Sequence, residues 1–146
     1  MNTETFSEKV ENTILNLKMM AQIKPFDKLY IDNGLLKIDT PTLFQGIYRW
    51  YREYSRESTT KDLDIIIKSV IEITNNLLEK DNITSEENTL CQQILIEINN
   101  ASKGLSNLKI TYKDDTFMSS KLDIIKEKLK ARKDRIISLM KVTTFN

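Results

Sequence analysis

The sequence predicts a mainly α-helical single domain, residues 1–146, built as a five-helix, bundle-like fold with one small β-hairpin between helices one and two. Three observations predict it. Only three glycines and two prolines occur in 146 residues, and both prolines fall before residue 42, so long helices are permitted through most of the chain. Apolar residues recur at spacings of three and four in one segment after another, the period of a helix with one buried face. Between two short alternating runs stands Asn33-Gly34, the strongest short-range signal for a two-residue type I′ turn.

The elements follow in order. Phe6, Val10, Ile14, Leu17 and Ala21 define helix one over 4–23, which must end before Pro25 because the residue preceding proline is pushed out of the helical region. The hairpin spans about 28–39. A turn at Asn33-Gly34 sets Ile31 opposite Leu36 and Leu29 opposite Ile38 on one face, with Tyr30 opposite Lys37 on the other. Such a hairpin is marginal alone in water, so its apolar face must lie on helices. Thr40-Pro41 reads as an N-cap followed by proline at the first helical position, opening helix two with the stripe Leu43, Ile47, Trp50 and Tyr54. Thr59 and Asp62 suggest a capping box for helix three, about 60–80, whose apolar residues cover more than half its circumference and make it the expected central helix. Thr84 and Glu87 form a second capping box before a long helix over 85–112. Its period survives Gly104, at a cost of about 1 kcal/mol in a helix interior and with a kink allowed there. Asp114-Asp115-Thr116 breaks that helix and caps the last, in which Met118, Leu122, Ile125, Leu129, Ile136 and Leu139 form the buried stripe. The tail, about 142–146, is expected to fray.

Composition narrows the class. Hydrophobic residues make up 40% and charged residues 29%, the balance of a chain that folds. The N-terminal stretch lacks the basic start and apolar run of a signal peptide, and no segment approaches the roughly 20 apolar residues of a membrane span. The expectation is an intracellular protein, neither secreted nor embedded. A single cysteine, Cys91, excludes an internal disulfide and suits a reducing compartment. Asn82-Ile83-Thr84 matches a glycosylation sequon, which carries little meaning without a secretory signal.

Net charge is +1, too small for a global field to gather nucleic acid or membrane. The distribution is uneven. Residues 62–100 carry eight acidic and two basic side chains, whereas 121–146 carry eight basic and three acidic. Such polarity either neutralises itself when the segments pack or leaves the last helix able to hold an acidic partner.

Absent residue types exclude much chemistry. With no histidine, imidazole general bases, histidine-dependent triads and histidine metal ligands are out. One cysteine builds no zinc site, and Cys91, beside Leu90 and Ile94 on a helix face, reads as a buried, inert thiol. Three scattered glycines supply neither a Walker loop nor a dinucleotide-binding turn. The paired carboxylates Asp62/Asp64, Glu86/Glu87 and Asp114/Asp115 are able in principle to hold magnesium. All three pairs fall at expected helix starts, where capping accounts for them. No catalytic residue, metal site, cofactor or small-molecule substrate is expected.

Two surfaces remain as candidates. In Tyr48-Arg49-Trp50-Tyr51-Arg52-Glu53-Tyr54-Ser55-Arg56-Glu57, four aromatics interleave with three arginines, the ingredients for stacking on bases and bridging phosphates. Arg49, Arg52 and Arg56 share one helix face. The plainer account makes Trp50 and Tyr54 core and pairs the arginines with Glu53 and Glu57. On the last helix, Lys121, Lys128, Arg132 and Arg135 flank the apolar stripe, where they either track a phosphate backbone or an acidic protein, or lie over the seam for packing.

The wording of several segments is also suggestive. Phe26-Asp27-Lys28-Leu29-Tyr30-Ile31, Ile38-Asp39-Thr40-Pro41-Thr42-Leu43-Phe44-Gln45-Gly46-Ile47-Tyr48-Arg49-Trp50-Tyr51 with Ser55-Arg56, and Lys103-Gly104-Leu105-Ser106-Asn107-Leu108-Lys109-Ile110-Thr111-Tyr112-Lys113-Asp114-Asp115 together resemble a family of small, uncharacterised helical proteins of large nucleocytoplasmic DNA viruses, the giant viruses. The resemblance covers roughly residues 26–125 and includes no catalytic signature, so it transfers no residue role. It implies a location in the infected cell's cytoplasm, the viral factory or the virion. The expected function is therefore that of a non-enzymatic interaction or structural protein of a large DNA virus, with a protein partner or a second copy as a homodimer, docked through Tyr48, Tyr51 and surplus apolar area of helix three. The alternative is a sequence-independent nucleic-acid binder using Arg49, Arg52 and Arg56 together with Lys128, Arg132 and Arg135. A carboxylate-only metal enzyme is a third class, and it requires two acidic pairs to converge.

Overall fold

The first helix begins where Thr5 accepts the Glu8 N–H on its hydroxyl at 3.1 Å, satisfying a backbone donor that a helix start leaves open. The computed structural model describes residues 5–25, 27–39, 56–80 and 82–142. In these the elements are α1 (Phe6–Ala21), β1 (Lys28–Asp32), β2 (Leu35–Asp39), α2 (Arg56–Leu78), α3 (Ser85–Thr111) and α4 (Thr116–Val142). The protein is mainly helical with one two-stranded antiparallel hairpin. Among the described residues there are four helices, not the five expected. The expected second helix, opening at Pro41, falls largely on residues 40–55, which lie outside the described residues, as does the tail beyond 142.

The hairpin has the expected register, with Leu29 opposite Ile38, Tyr30 opposite Lys37 and Ile31 opposite Leu36. Asn33 and Gly34 take φ of 51° and 77°, the left-handed pair that a type I′ turn demands. Leu29 and Leu36 are buried, while Tyr30 on the other face is exposed. The burial is supplied by α1 and α2, which pack on the strands.

Around the core the helices follow the cyclic order α1, α3, α4, α2: α1 packs on α3 and α2, and α4 packs on α3 and α2. Consecutive helices α2 and α3 therefore sit diagonally. The wide apolar arc of α2 has a use in this arrangement, because α4, α1 and both strands all pack against it. Val10, Leu17, Leu63, Ile94, Leu105 and Leu122 are among the fully buried side chains that fill the centre.

The start of α2 corrects a sequence expectation. The helix is already formed at Arg56, so Thr59 is an interior residue with 1% exposure and caps nothing. Asp62 and Asp64 accordingly sit inside the helix and not at its first turn. The Thr59–Asp62 spacing fits a capping box, but the helix is already formed three residues before Thr59.

The second capping box is real. The Thr84 hydroxyl accepts the Glu87 N–H at 3.1 Å and the Glu87 carboxylate accepts the Thr84 N–H at 2.9 Å, while Lys80 also pairs with Glu87. These bonds, that to Lys80 first, hold the Glu87 carboxyl below its ordinary value. Thr84→Ala is expected to cost about 1 kcal/mol, read as a shift of the urea midpoint at neutral pH. Because the folded value lies below the ordinary 4.5, the contribution of Glu87 is present above that pH and is lost as pH falls beneath it. The stability gap between wild type and Glu87→Gln should close in acid.

Candidate interaction surface

Of the residues that the sequence nominates, Tyr48, Arg49, Tyr51 and Arg52 lie outside the described residues, and Arg56 opens α2. The basic residues of the last helix are all on α4, and the fold separates them. Arg132 is half-buried and its guanidinium donates to the Asn75 side-chain oxygen on α2. Burial, and secondarily the neighbouring Arg135 charge, pushes its pKa down. Arg132 therefore joins α4 to α2. Lys128 and Arg135 remain exposed, as does Lys121, whose ammonium stands 5.6 Å from the centre of the Phe117 ring.

Among the described residues no ion pair joins the acidic segment 62–100 to the basic segment 121–146. Lys133 donates to Asn99 at 2.8 Å and Lys126 to the Ser106 hydroxyl at 2.7 Å, so α4 is fixed to α3 through an amide and a hydroxyl. In the one ion pair between these helices among the described residues, Lys109 to Asp123 at 2.8 Å, α4 supplies the acid. The inward bases of α4 are thus held without neutralising it.

What the fold leaves outside is a continuous row. Phe117, Lys121, Ile124, Lys128, Ala131 and Arg135 recur at spacings of four, three, four, three and four, and all are exposed. Phe117 and Ile124 are each 51% exposed, and what sets them apart from the comparably exposed Leu15, Ile65, Ile96 and Ile110 is that they share one row with three bases. At 1.5 Å per residue the row runs about 27 Å along the helix. Exposed Glu127 and Asp134 border it. Sequence reasoning selected Lys128 and Arg135 but missed Phe117 and Ile124. The signal was available: both are large apolar residues of the last helix that the core stripe does not use.

Two of the acidic pairs lie at helix starts, and the third, Asp62/Asp64, lies within α2. Asp115 accepts the Met118 N–H at 3.1 Å and caps α4, as Glu87 completes the box of α3. Burial raises the Asp62 carboxyl, opposed by the charge of Lys61. Among the described residues no three acidic or thiol side chains gather in a way that could hold a metal ion, and no helix is long and apolar enough to cross a membrane. The Cys91 thiol is fully buried and is pushed up to about 11, by burial and then by the Glu87 charge, which keeps it protonated and unreactive near neutral pH.

The geometry is that of a surface offering apolar contact and positive charge together. Comparison with protein-family models, with characterised proteins and with solved structures finds no match to this chain.

Proposed function

We propose that this chain is a non-enzymatic interaction protein, a virion or viral-factory component of a large DNA virus, and that it docks an acidic protein partner through the outward row of α4. The observation that carries the docking is the pair Phe117 and Ile124, half-exposed and interleaved with Lys121, Lys128 and Arg135. Apolar side chains at a seven-residue spacing suit an apolar helical ridge, and bases between them select acidic neighbours. The viral assignment rests on the sequence resemblance alone.

The test is fluorescence anisotropy with a labelled amphipathic peptide bearing Leu and Glu at matching spacing, beside single- and double-stranded DNA, over a salt series. Lys121→Glu/Lys128→Glu/Arg135→Glu is expected to weaken peptide binding by about tenfold or more. Ile124→Ser should weaken it with little change in salt dependence. Equal peptide binding by wild type and the triple variant ends this reading. DNA binding that falls steeply with salt and disappears in Arg49→Ala/Arg52→Ala/Arg56→Ala would replace it with the nucleic-acid reading. Concentration-dependent elution from a sizing column, lost in the triple variant, would make a second copy the occupant.

A further inference from the structure

The Asn33-Gly34 pair that shapes the hairpin turn also sets a side-chain amide beside a backbone nitrogen that no side chain shields. Both residues are exposed. The ladder closes at Asp32 and Leu35, so the Gly34 nitrogen lies outside it, and a Cβ built on Gly34 would meet nothing within 4 Å. The other asparagines among the described residues are placed differently. All but Asn82 lie within helices, where the N–H of the next residue is committed to the helix, and Asn82 precedes the β-branched, buried Ile83.

The fold restrains the pair. Asn33 stands at φ 51°, in the left-handed region, where its Cα–Cβ bond points nearly opposite to the following peptide C–N bond. A five-membered ring between Asn33 Cγ and the Gly34 nitrogen needs those two bonds nearly eclipsed, so the turn must open before the ring can close. Asn16 on α1, 2% exposed, holds it shut: its side chain donates to the Gly34 carbonyl at 3.2 Å and accepts the Leu36 N–H at 2.8 Å. We propose that Asn33 is a site of spontaneous deamidation and that Asn16 is the latch that sets its rate, so that the hairpin carries an irreversible switch driven by water alone. With the turn open, the Gly34 nitrogen gives up its proton and bonds to Asn33 Cγ, the Cγ–Nδ2 bond breaks, and ammonia leaves with a proton regained from solvent. Water then opens the succinimide. Cleavage between Cγ and nitrogen gives aspartate on an unchanged backbone, whereas cleavage at the Asn33 carbonyl carbon gives isoaspartate, with a methylene added to the main chain. Asp-Gly takes the same type I′ turn. The longer isoaspartate backbone does not, and it undoes the register that seats Leu29 and Leu36 in the core.

The experiment incubates the full chain at mildly alkaline pH and follows, by peptide mapping, the gain of about one dalton at each asparagine, with electron-transfer fragmentation separating aspartate from isoaspartate. Asn33 is expected to react first. Asn16→Ala should raise its rate about tenfold or more, because the open fraction of the turn multiplies the rate of ring closure. Gly104→Ala, whose added Cβ meets Met20 and not the turn, should raise it less. Asn33→Asp should leave the Leu36 amide protected from exchange, whereas the isoaspartate product should expose it. If Asn16→Ala fails to fold, wild type in urea below its unfolding transition samples the same opening, and its rate should climb with urea. Reaction at Asn82 or a helical asparagine ahead of Asn33, equal rates in wild type and Asn16→Ala, a Gly104→Ala rate matching that of Asn16→Ala, or a rate indifferent to urea would each overturn the proposal.

Discussion

Gly104→Ala is expected to destabilise the protein by about 3 kcal/mol, although alanine is the better helix former by about 1 kcal/mol. A Cβ built on Gly104 would lie 1.7 Å from the Met20 carbonyl oxygen and 2.7 Å from its carbon. Those are backbone atoms at the end of α1, so no rotamer change relieves the contact. Either α1 moves off α3 or the two helices separate over their most extensive packing. Equilibrium urea unfolding followed by far-ultraviolet circular dichroism measures the loss. An unchanged or increased midpoint would mean that helix propensity, and not the contact with the Met20 backbone, governs this position.

Asn16→Ala is expected to cost about 2 kcal/mol, because it strips a buried donor, the Leu36 N–H, of its partner and removes a second, partly buried bond to the Gly34 carbonyl. In a two-residue hairpin, alternate residues turn their N–H groups away from the partner strand, and Leu36 is one of these. Asn16, 2% exposed on α1, accepts the Leu36 N–H at 2.8 Å and donates to the Gly34 carbonyl at 3.2 Å. One amide thus covers the edge of β2 and ties the turn to the helix. Asn16→Leu discriminates: it restores side-chain volume but not the bonds, and should lose as much stability as alanine does. A second readout is local, since the Leu36 amide should exchange with solvent much faster in both variants. A leucine variant as stable as wild type would show that packing, not hydrogen bonding, anchors the hairpin.

These two positions mark the limit of what the letters conveyed. Asn16 and Gly104 lie in segments correctly read as helices, and nothing in the spacing of Ile14, Leu17 or Leu105 announces what either residue touches. The partner of Asn16 is 20 residues away on β2, and that of Gly104 lies on α1. The same holds for the surface on α4. Lys128 and Arg135 were legible as basic positions flanking a stripe, but Arg132, equivalent to them in sequence, is drawn to Asn75 across 57 residues. Phe117 and Ile124 were readable as surplus apolar residues only once the core stripe was subtracted.

By itself the sequence determined the class of the protein, the hairpin with its register, the cap of α3 and most of the buried positions. Each follows from local physics: the periods of 3.6 and 2, the left-handed tolerance of Asn33-Gly34, and the bonds that Thr84 and Glu87 make within one turn. Only the tertiary structure decided the cyclic order of the helices, the interior position of Thr59, the close approach at Gly104, the anchoring by Asn16 and the burial of Asp27. All of these depend on which groups meet across long stretches of chain, and helix spacing fixes the direction in which a side chain leaves its own element without fixing what stands opposite.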